Sequence, residues 1–215
     1  MPYTKEHKQR TRARILREAA RAFRAEGVGG VAIPAVMQRA GLTHGGFYAH
    51  FASKDALVAA ACGEGFSEAG ADLLDRVAQA APGDELRQII RAYLSRAHRD
   101  DPSSGCMLPG MTAEIARGSD EVRAGFTDAV RVYARKLAGY LPQRADQTPA
   151  LREQAAFVLL AGMAGALQLA RAVDDRALSD AILRDARAFY TGVFVGMTDA
   201  PTSGLPDAGA HEKHD

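Results

Sequence analysis

Cysteine is scarce: Cys62 and Cys106 are the only two in 215 residues. No paired spacing joins them, so neither a disulfide framework nor a zinc site built on thiolates is expected. Catalytic signatures are missing as well. Gly65-Phe66-Ser67-Glu68-Ala69 fails the nucleophile elbow at its last position and follows no strand. There is no Gly-Lys-Ser/Thr phosphate loop, no Gly-x-Gly-x-x-Gly after a strand and no His-Glu-x-x-His. His211 and His214 stand in a stretch too rich in Pro, Gly and Asp to hold a metal. These absences argue against an enzyme and against a bound cofactor or metal. The longest uncharged apolar run, residues 155–170, is shorter than the roughly 20 residues a bilayer span requires. Residues 1–10 are polar rather than a leader. A cytoplasmic protein with no membrane partner is expected. No internal repeat and no strand-like alternation interrupts the chain.

What is present is apolar periodicity and an uneven distribution of charge. Hydrophobic residues make up 47% of the chain, enough for a substantial core. The net charge of +1 hides a division. Residues 1–54 carry ten Lys and Arg against three Glu, a surplus of +7, and the remainder carries −6. A basic head on an acidic body points to a polyanion met by the head alone. The periodicity is helical throughout and predicts an all-α fold. A first helix is expected over residues 5–26, with Ile15, Leu16, Ala19, Ala20 and Phe23 facing inward. Arg10, Arg14, Arg17, Arg21 and Arg24 form a solvated stripe on its other side.

The most informative stretch is residues 41–54. Ile33, Val36, Met37 and Ala40 space one helix face, Gly41 terminates it, and Thr43 is placed to cap a second short helix. Helix, glycine turn, short helix is the sequence form of a helix-turn-helix. His44, Gly45 and Gly46 open the second helix, where each glycine costs roughly 0.5–1 kcal/mol relative to Ala. Close approach of main chain to base edges in a major groove would account for that cost. Tyr48, His50 and Lys54 offer donors for phosphate oxygens, while Phe47 and Phe51 turn inward. A surface loop over a small aromatic core is the competing reading.

Thr11-Arg12-Ala13-Arg14-Ile15-Leu16, Ala19 to Phe23, Gly27, Ala40-Gly41-Leu42-Thr43 and the run from Phe47 to Leu57 resemble the DNA-binding domain of the TetR family. The match covers about the first quarter of the chain. Ala32-Ile33-Pro34 and Val36-Met37 depart from the family pattern, which often has Thr or Ser and then Ile-Ala there. The resemblance implies a homodimeric transcriptional regulator, most simply a repressor, holding double-stranded operator DNA. Residues 1–54 would form the helix-turn-helix head, 55–198 a helical ligand-binding and dimerisation body, and 199–215 a disordered tail. His44, Gly45 and Gly46 are expected at bases, and Thr11, Arg12, Thr43, Tyr48, His50 and Lys54 at phosphates. The reading from another class is a helical small-molecule-binding or assembly module without a specific operator.

Ser53 reads as the cap of a long helix joining head to body through Leu57, Phe66, Leu73 and Val77. Further helices are expected over residues 84–99, from near Cys106 towards 117, after Ser119, and over 151–173 and 178–197. The resemblance implies that the last two form a dimer interface. A small-molecule or electrophile effector is expected in a pocket of Tyr93, Cys106, Met107, Met111, Phe126, Tyr133, Phe157 and Met163. Methionines and aromatics make adaptable apolar walls. Cys106, after Ser103-Ser104-Gly105 at a possible helix start, is a candidate reactive thiol because helix dipoles favour thiolate. The competing reading is an inert buried side chain.

Overall fold

The computed structural model describes residues 4–143 and 147–196, with the side chains of Asp72, Leu73 and Arg76 excepted. The expected tail, residues 199–215, lies outside them. All regular structure among the described residues is helical. α1 spans Lys5–Gly30, α2 Ile33–Arg39, α3 Lys54–Val77, α4 Glu85–Tyr93 and α5 Arg96–Asp100. α6 spans Leu108–Ile115, α7 Asp120–Ala138, α8 Pro149–Ala172 and α9 Arg176–Phe194. Short 3-10 turns occupy His44–Ala49 and Pro102–Ser104.

The head forms where local signals agree. Thr4 caps α1 by accepting the His7 N–H, and Ile15, Ala19, Ala20 and Phe23 are buried at helical spacing. Gly27 breaks the helix at φ +76°, a conformation other residues adopt only with strain. Two polar groups then grip the turn that follows. The Gly29 N–H donates to the Glu114 carboxylate of α6 at 2.8 Å. The Lys54 ammonium donates to the carbonyls of Val28 and Val31, both at 2.7 Å. At the end of α2 the Leu42 N–H reaches the Met37 carbonyl and the Gly41 N–H that of Gln38, with Gly41 at φ +65°. That is the Schellman arrangement, and it aims the chain into the His44–Ala49 turn. Phe47 and Phe51 stack at 5.8 Å beneath this turn. Burying each stabilises the head by about 1.5–3 kcal/mol.

α3 carries the head into the body. Ser53 caps it, accepting the Ala56 N–H at 2.9 Å. It runs beside α7, and at Gly125 the two come into close backbone contact. A methyl group there would lie 2.8 Å from the Ala59 Cβ and 2.9 Å from its Cα, so only glycine fits. Farther along, Phe66 meets Phe126 and Tyr133 at 6.0 and 5.4 Å.

The expected helix over residues 84–99 is two helices. Leu94 leaves helical geometry at φ −92°, ψ 49° and is fully buried, and Ser95 caps α5 through the His98 N–H. A local side-chain acceptor competes here with the helical hydrogen bond. The break turns Arg99 inward, where it holds Asp100 at 2.8 Å, Ser179 at 2.7 Å and Asp180 at 2.8 Å, fastening α5 to α9. Arg99 and Arg176 together hold the Asp100 carboxyl down at about 2.

α8 is long and apolar enough to cross a membrane by length and composition, with a mean hydropathy of 1.5. Ala156, Leu159, Leu160, Met163 and Leu167 are buried along one face, and the helix packs on α6, α7 and α9. Its other face leaves Val158 and Leu169 exposed, and α9 exposes Leu178 and Phe189.

Gly125→Val is expected to lower the stability of the fold by about 1–3 kcal/mol through overpacking, read as a reduced midpoint of urea denaturation; an unchanged midpoint would show the α3–α7 crossing to be loose. Asp100 is ionised in the fold at a pH where the unfolded carboxyl is already protonated. Its contribution is therefore complete above about pH 4 and lost as pH falls through about 2. Asp100→Asn should weaken the fall in denaturation midpoint over that window, and an identical pH profile would rule the clamp out.

Candidate functional site

The exposed surface of the head around His44–Ala49 is the first candidate site. Thr43 occupies the cap position with an exposed side chain that makes no capping hydrogen bond, so its hydroxyl is not consumed by the helix end. His44 and Gly45 are exposed beside it, and Tyr48 is 67% exposed with its ring edge-on to Phe47. Neither Gly45 nor Gly46 has a positive φ. Nothing lies within 4 Å of where a Gly45 Cβ would stand, and Gly46 would make only an ordinary contact with Met37. Nothing within the described chain therefore requires glycine at either position.

The other expected contact residues divide. Arg12 is exposed, its guanidinium carbon 4.7 Å over the Phe51 ring, so the ring holds it at the edge of the turn. His50 is half-buried beside it. Burial first, then the charges of Lys8 and Arg12, push its pKa down, so the ring is neutral at pH 7. Its Nδ1 is buried without a hydrogen-bond partner among the described residues. Two expectations need correction. Thr11 is buried against the head core rather than displayed to a phosphate. The Lys54 ammonium is taken up by the Val28 and Val31 carbonyls, because α3 begins directly beneath the end of α1.

The second candidate site is a cavity of about 260 Å³ in the body. Ala69 of α3, Ala92 and Tyr93 of α4, His98 of α5, Ser104–Cys106 and Tyr133 of α7 line it. Of the expected pocket residues, Tyr93, Cys106 and Tyr133 are in its wall. Met107, Met111 and Met163 are instead fully packed core, and Phe126 and Phe157 are half-buried away from it. Small alanines open the space, and the methionines fill gaps elsewhere.

His98 shapes the cavity, although no sequence signal singles it out. Its Nε2 accepts the Cys106 backbone N–H at 2.9 Å, so the ring proton sits on Nδ1, which donates to the Tyr93 carbonyl at 2.8 Å. Histidine eight residues from its partner carries no local pattern. The Tyr93 hydroxyl is buried and has no hydrogen-bond partner among the described residues. Its pKa is pushed well up by burial, with the neighbouring Cys106 adding to the shift. The hydroxyl lies near the sulfur without forming a full hydrogen bond to it.

Cys106 lies just ahead of α6, which begins at Leu108: its sulfur faces the Leu108 amide, while its own amide is turned to His98. The thiol is 3% exposed and burial raises its pKa, outweighing the Tyr93 hydroxyl and the α6 amide that act the other way. The expected activated thiolate is therefore corrected to a protonated thiol in the cavity wall. Burial likewise pushes Cys62, within α3, up to about 12.

Arg24 joins the two candidate sites. The sequence places it on the solvated stripe of α1, yet it is 4% exposed and turned into the body. Its Nε donates to the Ser103 carbonyl at 2.7 Å, one terminal nitrogen to the Gly65 carbonyl at 3.5 Å and the other to Glu68 at 3.0 Å. The next residues after Ser103 are cavity wall. A helix of the head thus holds the loop that lines the body's cavity.

Comparisons with known proteins agree with this architecture. The family model for bacterial regulatory proteins of the tetR family matches residues 15–61, and that for the tetracyclin repressor-like C-terminal domain matches residues 82–186. A comparison with curated protein sequences finds no match. Among solved structures, E. coli NemR in its reduced form is similar at 19% identity and a TM-score of 0.65, over 86% of this chain and 97% of that one. A TetR-family transcriptional regulator from Cytophaga hutchinsonii is similar at 23% identity and a TM-score of 0.68, over 91% and 99%. One from Agrobacterium tumefaciens is similar at 21% identity and a TM-score of 0.63, over 85% and 98%. At these identities the structures testify to the fold. The two family models lie in order on the head and the body and together take in most of the chain: the protein belongs to the TetR family of DNA-binding transcriptional regulators.

Proposed function

We infer that this regulator is a homodimeric repressor whose operator is released when an uncharged small molecule enters the cavity at Tyr93. Residues 1–54 act as the head and residues 55–198 as the effector-binding and dimerising body. Each head places residues 43–50 in a major groove, with His44, Gly45 and Gly46 at base edges. Thr43, Tyr48, His50 and Arg12 face the flanking phosphates. Phosphate contacts fix the register and base edges carry the sequence information. The observation that carries this reading is the pair of glycines. Nothing among the described residues explains them, and a surface that must come within contact distance of an external partner does.

The exposed Val158, Leu169, Leu178 and Phe189 on α8 and α9 support dimerisation through these helices. Two heads related by a two-fold axis require two half-sites on an approximately palindromic operator. Arg24 supports the link between the sites. A ligand can shift the head only as far as it prefers one arrangement of the loop that Arg24 holds.

Fragments selected from a random DNA pool are expected to bind at least about 10³-fold more tightly than scrambled competitor at matched salt. Gly45→Ala should leave thermal stability unchanged or slightly raised, since the added methyl meets nothing. The same change should weaken binding to the selected fragment by about tenfold or more. Equal affinity for selected and scrambled DNA would end the repressor reading, and an unaffected Gly45→Ala variant would move base contact away from this turn. Arg24→Met should speed amide exchange in residues 102–106 and also in 27–31. Acceleration confined to one of the two segments would show that cavity and head are not tied.

A further inference from the structure

A second cavity, of about 320 Å³, lies on the far side of Tyr133. Gly70, Leu74, Leu137, Gly139 and Tyr140 line it with Tyr133, and Lys136 stands at its edge. Tyr133 is in the wall of both cavities, and the consecutive α3 residues Ala69 and Gly70 face one each. The Tyr133 ring is therefore the partition. At Gly70 a methyl group would come within 3.9 Å of that ring, so the missing side chain leaves room beside it.

The two chambers differ in chemistry. The wall of the first includes Tyr93, whose buried hydroxyl has no hydrogen-bond partner among the described residues beyond its contact with Cys106, and so favours a hydrogen-bonding group on the ligand. Among the described residues it offers an anionic ligand no cation that is not already engaged. His98 is held between a carbonyl and an amide as a neutral ring, and the Asp101 carboxylate is occupied by the hydroxyls of Ser103 and Ser104. Arg171 directs its guanidinium to the carbonyls of His98 and Arg99. The second chamber is walled by Leu74, Leu137 and two tyrosine rings, and suits hydrocarbon.

We propose that the two cavities form one bipartite site for an uncharged amphipathic molecule. Its compact hydrogen-bonding head meets the Tyr93 hydroxyl, and its alkyl tail passes the Tyr133 ring into the chamber at Leu74 and Leu137. This rests on the effector reading above and specifies the class of effector. Tyr133 turns aside on its α7 backbone when the tail enters, which places the ligand between α3 and α7 as well as against the Ser104–Cys106 loop.

The test is a series of 4-alkylphenols from methyl to heptyl, titrated calorimetrically into the full chain. Affinity is expected to rise about fourfold per added methylene over the middle of the series and then level off when the second chamber is full. The 4-alkylbenzoates of equal length should bind at least about tenfold more weakly, because among the described residues the Arg171 guanidinium beside the first chamber is already engaged by carbonyls. Tyr93→Phe should weaken every phenol by a similar factor of about five to ten. Gly70→Leu, which favours the helix and fills the second chamber, should abolish the gain with chain length while short phenols bind as before. If that variant fails to fold, Leu74→Ala should shift the plateau to longer tails. No binding by any member, a flat profile with chain length, equal binding of the benzoates or indifference to Tyr93→Phe would each overturn the proposal. Release of the selected operator by short phenols with a flat profile would leave the effector reading standing and remove the second chamber. Chain-length-dependent binding that never releases the operator would do the reverse.

Discussion

A guanidinium taken out of water must be met by acceptors, and the three that meet Arg24 come from two other parts of the molecule. Ser103 lies on the cavity loop, Gly65 and Glu68 lie on α3, and Arg24 itself belongs to the head. Removing any acceptor would leave a nearly buried cation short of a partner, which is far more costly than an ordinary surface pair is beneficial. The orientation of α1 on the body follows from that constraint. So does the position of residues 102–106, whose Ser103 carbonyl is held beside the cavity. Glu114 and Lys54 then fix the turn after Gly27 from opposite sides, one from α6 and one from α3.

The head was legible in the sequence because its determinants are local. α2 ends through the Gly41 N–H bonded three residues back and the Leu42 N–H bonded five back, and Ser53 caps α3 through a residue three later. Apolar spacing in α1 gave Ile15, Ala19 and Phe23 their inward face for the same reason. Arg24 was misplaced because its partners stand 41 to 79 residues away, and a helical wheel gives no information about them. Lys54 has the identity expected of a phosphate ligand, but its ammonium lies within reach of two carbonyls that only the folded turn brings together. The division of the expected helix at Leu94 is a case of burial and a serine acceptor overriding propensity.

The cavity was legible in part. Tyr93 and Tyr133 were recognisable as amphipathic rings suited to a pocket wall, and both are there. The methionines were not distinguishable from core by composition, since the same adaptability suits them to either setting. Cys106 shows why a motif needs its surroundings. The small polar residues before it suggested an electropositive helix start, whereas the chain delays α6 by two residues and buries the sulfur. Desolvation then outweighs the dipole, and the thiol contributes shape and polarisability to the wall.

The close passage of α3 over Gly125 has a mechanical consequence. With no side chain between them, the two helices touch backbone to backbone at Ala59, so α3 cannot translate there without a clash but can tilt about the point. The cavity residues Ala69 and Gly70 lie roughly 15 Å beyond this fulcrum, and the start of the helix at Lys54 lies about 7 Å on the other side, at 1.5 Å per residue. A rigid rod so mounted reverses and halves any sideways displacement. In the dimer proposed above, prising α3 from α7 by an ångström or two at Tyr133 would move each head by about half as much in the opposite sense, and a two-fold axis would double the change in spacing that rigid DNA has to match.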